Sequence, residues 1–220
     1  MAERITLVGE RVTMEPLELA DAGDLLVAAA EDRSSYDFTL VPDSLSAMKA
    51  YIASALEDEG TGWALPFKIR LSDRGGRTVG TTRFLDLAYW DERGPTWPPG
   101  RRSRGGHGTP TVGEIGSTWL AASAQGTGAN TESKLLMLTH AFEAWGARRV
   151  TLKTDARNQR SRRAIEAIGA AFEGIRRAHV LATDGTARDT AYYSVLISEW
   201  PQVRRQLIDR LHARFPAGRA

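Results

Sequence analysis

The order of strand-like and helix-like segments predicts an α/β (α+β) fold, a sheet flanked by helices. Two hairpin signals, Ser72-Asp73-Arg74-Gly75-Gly76 and Thr183-Asp184-Gly185-Thr186, each join two strand-like runs and imply antiparallel neighbours. Between them a strand, a glycine-rich turn, an amphipathic helix and a further strand follow in order. The 220 residues, 42% of them hydrophobic, suffice for one domain with a sizeable core.

Val8 to Pro16 reads as a first strand, alternating through Val12 and Met14. A helix from Leu17 to Glu31 follows, with Leu25, Leu26 and Ala29 on one face and Asp21 as its expected cap. Ser44 starts a second helix, whose Leu45, Met48, Ile52 and Leu56 recur at helical spacing. Trp63–Leu71 and Thr78–Tyr89 are the strands of the first hairpin. Glu114–Leu120 is short, partly β-branched and bounded by Gly113 and small residues. After the turn Gln125-Gly126-Thr127-Gly128-Ala129-Asn130, Leu135, Leu138, Phe142 and Trp145 mark a helix that Gly146 stops.

Arg149–Asp155 is the next strand, and Asn158 and Ser161 open a helix through Ile168 with Gly169 as its stop. Phe172-Glu173-Gly174 starts another strand. The second hairpin joins Arg176–Ala182 to Asp189–Ile197. A last helix after Pro201 carries Val203, Leu207, Leu211 and Phe215 four apart, a stripe suited to docking on its own domain.

A glycine-rich turn opening a helix presents free backbone N–H groups, and the helix dipole adds partial positive charge, so Gln125 to Asn130 can cradle a pyrophosphate. A tight strand-to-helix connection explains the same residues. The spacing is neither G-x-G-x-x-G nor a P-loop, since no Gly-Lys-Ser/Thr follows. A net charge of +2 is too small to argue for nucleic acid. The absence of cysteine removes disulfides and a thiol nucleophile. The four histidines are scattered, so no metal is expected. No signal peptide or membrane span is read, and the expected location is cytoplasmic.

The order strand, Q-G-x-G-x-N turn, helix, strand, N-x-x-S, helix, G-A-x-F-E-G resembles the GNAT superfamily of acyl-CoA-dependent N-acyltransferases. Thr154 to Ile165 and Asp189 to Val195 look like its RimJ/RimL branch, related to ribosomal-protein N-terminal acetyltransferases. The likeness covers roughly residues 5–200 and implies a mixed, mostly antiparallel central sheet with a splayed strand pair at the acyl-CoA site. Residues 1–200 would then form the acyltransferase domain, with a Gly/Pro/Arg-rich insertion at 91–113 and a C-terminal helix packed on the same domain.

The same resemblance implies acetyl-CoA as cosubstrate, with its pyrophosphate on Gln125, Gly126, Thr127, Gly128, Ala129 and Asn130. Trp119 and Leu120 on the preceding strand would line the pantetheine, and a backbone N–H of that strand would polarise the thioester carbonyl. Asn158 matches an asparagine that contacts the pantetheine, and also reads as a helix cap. Ser161 stands where many members carry the acid that protonates the leaving thiolate. The base is open between Glu114, at the mouth of the strand, and His179, where ribosomal-protein acetylating relatives carry a glutamate. Asp86 and Tyr193 are weaker candidates. Tyr36, Asp37, Trp63 and Trp90 would wall the acceptor pocket, suiting a cationic amine.

These features predict an N-acetyltransferase acting by direct attack of a primary amine, on a small molecule or a protein N-terminus, in a ternary complex. Two alternatives compete: a non-catalytic module that binds acyl-CoA or sequesters amines, and an RNA-associated protein using the arginines of 91–113. That segment could equally be a plain surface loop or a flap over the acceptor through Trp90 and Trp97. A homodimer is compatible with the final helix, Phe215 and the long loop.

Overall fold

The computed structural model describes residues 2–72, 75–90 and 108–215. Eight strands form one sheet in the order β1-β2-β3-β4-β5-β6-β8-β7. They are β1 (Leu7–Val8), β2 (Val12–Pro16), β3 (Leu65–Leu71), β4 (Thr78–Ala88), β5 (Val112–Leu120), β6 (Arg149–Asp155), β7 (Ala171–Leu181) and β8 (Ala187–Leu196). Every pairing is antiparallel except β5 with β6. The helices are α1 (Ala22–Ala29), α2 (Leu45–Gly60), α3 (Ala129–Thr139), α4 (Gln159–Glu166) and α5 (Trp200–Arg214).

Adjacent residues of β4 show which helices cover which face, because side chains alternate along a strand. Thr82 meets Lys134 of α3, whereas Arg83 lies over the Tyr51 ring of α2. The α3 face also packs Phe67 edge-on against Phe84 and Phe84 against Trp145. On the other face Leu25, Met48 and Ile52 are fully buried, as the helical spacing requires. Ser44 caps α2, its Oγ accepting from the Ala47 N–H at 3.3 Å. Val203, Leu207 and Leu211 of α5 are buried, and the helix packs on α3. No helix among the described residues is long and apolar enough to cross a membrane.

Two boundaries differ from the sequence expectation. The first strand is a hairpin, broken at Gly9 to Arg11, because Glu132 of α3 inserts its carboxylate there. It accepts from the backbone N–H groups of Glu10, Arg11 and Val12 at 3.1, 2.7 and 2.8 Å. A side chain at Gly9 would meet that carboxylate at 2.6 Å. Asp21 does not cap α1. It accepts from the Glu18 N–H and pairs with Lys68 at 2.7 Å, and a 3₁₀ turn over Leu19–Asp21 precedes the helix. Residues 91–107, with Trp97 and the loop arginines, lie outside the described residues.

Candidate active site

β5 and β6 pair only from Val112–Arg149 to Glu114–Thr151, after which β5 runs on to Leu120 and β6 to Asp155 without further pairing. The divergence opens a cleft of about 850 Å³. Its walls come from the 35–40 loop, α2, β4, β5, the glycine turn, β6, the start of α4 and the β7–β8 turn.

β5 carries a bulge at the level of the splay. Thr81 pairs with Trp119 and Arg83 with Gly116, so Ser117 and Thr118 oppose Thr82 alone. Ser117 takes a left-handed φ of 49°, unusual for a residue with a side chain. A buried network holds this irregularity. Lys134 Nζ donates to Thr118 Oγ1 at 2.7 Å and Thr82 Oγ1 at 3.1 Å, and the two hydroxyls lie 2.7 Å apart. Burial without a carboxylate partner lowers the Lys134 pKa to about 7.

Between about pH 7 and 10.5 the unfolded chain therefore holds a proton that native Lys134 has released, and native stability gains from rising pH. The stability difference between the wild type and Lys134→Met should climb by about 1.4 kcal/mol per pH unit across that window and level off below it. Chemical denaturation of both proteins from pH 6 to 10 tests this. Parallel curves would mean that Lys134 keeps its proton.

Glu114 sits at the vertex of the splay with its side chain 3% exposed, 2.8 Å from Lys153 Nζ. Burial raises its pKa above the ordinary carboxylate range, with Lys153 opposing the shift. Lys153, which also lies 3.7 Å from Asp86, is drawn down by burial but held raised overall by the two carboxylates. Gly116 leaves room for this arrangement, since a Cβ there would lie 2.8 Å from Glu114 Oε1.

At the other end of β5, Gly126 lines the cleft with φ 73° and nothing within 4 Å of its absent Cβ. Behind it the N-cap of α3 is Gly128, which has no side chain to cap the helix, and Thr127 Oγ1 accepts from the Ala129 N–H at 3.4 Å. Arg160 reaches this end, donating to Gln125 Oε1 and the Ser35 carbonyl, with no carboxylate partner among the described residues. An open backbone turn, a helix N-terminus and a guanidinium fit a pyrophosphate. The Gln125 side chain is itself a strut, its amide donating to Ser35 Oγ and the Leu120 carbonyl.

Glu114, Trp119, Leu120, Gln125, Gly126 and Asn130 thus line the cleft, as do Tyr36, Asn158 and Ser161. Asn158 caps α4, accepting from the Ser161 N–H at 3.0 Å. Tyr36 is a strut, its hydroxyl donating to the Leu120 carbonyl and its ring edge-on to Trp119. Thr127, Gly128 and Ala129 lie outside the lining; Gly128 is backed by the Phe215 ring.

Other expectations need correction. His179 lies off the cleft, in a bulge of edge strand β7, with Nδ1 3.1 Å from Thr190 Oγ1 and Nε2 3.2 Å from Tyr192 OH. Trp63 and Trp90 are also outside the lining, and Trp90 is half exposed. Asp37 borders an adjoining hollow, which shares Tyr36, Leu40 and Tyr51 with the cleft. Tyr193 is fully buried, its hydroxyl held between Arg162 and Glu166. The cleft residues Tyr51, Arg83, Lys134, Lys153 and Arg188 went unforeseen.

Comparison with known proteins gives this geometry a class. A family model described as "Acetyltransferase (GNAT) domain" matches residues 11–171, well over half of the chain. The chain belongs to the GNAT family of acetyltransferases, enzymes that carry an acetyl group from acetyl-CoA to an amine. It is similar to the Bacillus subtilis (strain 168) protein named "Putative ribosomal N-acetyltransferase YdaF", 37% identical over 87 residues. That stretch is 40% of this chain and only about half of the relative, 46%. A solved "putative acetyltransferase" from T. thermophilus is 32% identical, covers 96% of this chain and 99% of its own, and superposes with a TM-score of 0.75. Mycobacterium smegmatis RimJ, solved with CoA-disulfide, shares the fold at 20% identity and a TM-score of 0.73, covering 94% of each chain.

Proposed function

We propose that the chain acetylates a primary amine by direct attack on acetyl-CoA bound in the splayed cleft. The observation that carries the reading is the buried Glu114 carboxylate at the vertex of the splay, on the same strand that leads to the glycine turn. The pyrophosphate would rest on the Gly126 turn beside Arg160, with the pantetheine along β5 toward the bulge.

Glu114, raised by burial, accepts the amine proton. The amine nitrogen would attack the thioester carbonyl carbon, the C–S bond would break, and the second proton of the nitrogen would pass to the departing thiolate at the mouth of α4, where Ser161 lines the cleft. Lys153 keeps Glu114 oriented and balances its charge. A covalent acyl-enzyme is disfavoured, since the sequence has no cysteine and, among the described residues, no base is hydrogen-bonded to the Ser161 hydroxyl. Resemblance to ribosomal-protein acetyltransferases supports a protein N-terminus among the acceptors.

Thiol release from acetyl-CoA against a panel of peptides, amino acids, polyamines and aminoglycosides tests the reading, with acetyl-CoA binding measured by calorimetry in parallel. Turnover with at least one class is expected. Tight binding without any turnover would favour the non-catalytic acyl-CoA module, and absence of binding would sink both.

We further propose that two copies associate through the outer edge of β7, where Phe172, Ile175, Val180 and Leu181 are exposed. Light scattering should give twice the chain mass, and a Phe172→Asp/Val180→Asp variant should give one. A monomeric wild type would reject the idea.

A further inference from the structure

The acceptor half of the cleft holds a cation for which the described residues supply no counter-charge. Arg83 of β4 is 6% exposed and lines the cleft, its Cζ 4.4 Å from the centre of the Tyr51 ring. Its Nε makes no hydrogen bond, and among the described residues no carboxylate pairs with it. Burying an unpaired guanidinium is costly, and cation–π stacking on one tyrosine offsets only part of that cost. Such a group persists where a ligand completes it. Arg188 of β8 reaches the same cleft from the hairpin side, and its Nε is also buried without a partner.

The pyrophosphate of CoA is too far away to be that ligand. Arg83 pairs with Gly116, two residues beyond the vertex, whereas the glycine turn follows Leu120. Because of the bulge the two levels are three residues of β4 apart, Gly80 to Arg83, or about 10 Å, and the glycine turn lies beyond Leu120. Arg83 also faces α2, the side away from Lys134 and α3. Glu114 shares that outlook: residues paired directly across a ladder project to the same face, and Glu114 Oε1 lies over Gly116, the partner of Arg83. A carboxylate that can take a proton and a guanidinium that can bind an oxyanion therefore stand side by side.

We propose that the acceptor is a primary amine that also carries a carboxylate, the amine delivered to Glu114 and the carboxylate held by Arg83, with Arg188 completing the anion site. The proposal rests on the acetyl-transfer reading above and narrows its substrate class. Free amino acids and peptides with an acidic residue next to the N-terminus share this chemistry, and the test separates them.

The experiment compares kcat/KM for free amino acids with that for their carboxamides, and for Ala-Asp and Ala-Glu peptides with that for Ala-Asn and Ala-Gln. Each pair is run on the wild type, Arg83→Met and Arg83→Lys. The wild type should favour the acid of a pair at least tenfold. Arg83→Met should erase the preference, Arg83→Lys should restore part of it, and acetyl-CoA affinity should stay within twofold in both. The arm that shows the preference identifies the source. The proposal falls if amides serve as well as acids, or if the preference survives Arg83→Met. It falls too if the protein turns over only uncharged or polycationic amines; the acetyl-transfer reading would outlast all three results. Absence of turnover with every amine, or loss of acetyl-CoA binding, would take down both together.

Discussion

Glu114→Gln should lower kcat by roughly a hundredfold to ten-thousandfold, the range expected for loss of a general base. It should also remove the acid limb of the pH profile. Glu114 works as a base only when ionised, so activity rises with pH through its pKa. Burial raises that pKa, with Lys153 in opposition, and the limb should lie above the ordinary carboxylate range. The variant keeps nearly the same shape and leaves Lys153 beside Asp86, so acetyl-CoA affinity should hardly move. A full-strength variant with an intact acid limb would hand the proton to another group. A drop in kcat that keeps the limb would reduce Glu114 to a packing role.

Glu132→Ala should destabilise the fold strongly, by about 3–5 kcal/mol. The carboxylate is buried and receives three backbone N–H groups of the β1–β2 turn. Removing it leaves the buried Val12 N–H without a partner and takes the acceptor from the part-buried N–H groups of Glu10 and Arg11, a buried orphan donor costing about 1–3 kcal/mol. Denaturant midpoints at unchanged slope measure the loss. A cost under about 1 kcal/mol would mean that the turn finds other acceptors.

The same contact shows why the sequence was legible in places and opaque in others. β6 falls on Arg149–Asp155 as its composition indicates, and Ser44 caps α2, because both signals are local. The break between β1 and β2 is not local: Gly9 to Arg11 turn because of a glutamate more than a hundred residues away. Asp21 is drawn from its expected cap by Lys68, which only the sheet brings near.

In the cleft, the glycine turn was readable because positive φ leaves a mark in composition. Lys134 and Lys153 leave none, since each sits mid-element where a charged residue ordinarily points to solvent. The one available hint was Arg83 itself, a lone cation inside the run Thr78–Ala88. His179, a candidate base only through the family resemblance, lies off the cleft: a bulge with Ala178 at φ 46° lodges its ring between Thr190 and Tyr192.

The β7–β8 turn borders the cleft on one side and touches the loop before α2 on the other. Thr183 Oγ1 donates to the Asp37 carbonyl, and Arg157 ties Asp184 to the Phe38 ring. Arg157 and Asp184 are about half exposed, at 46% and 48%, so water screens their ion pair and it fastens the turn weakly. Hinging these contacts open requires no break in any strand ladder. On this side the cleft is closed by side-chain contacts and by no strand ladder, so opening it to a bulky acceptor would leave the sheet whole.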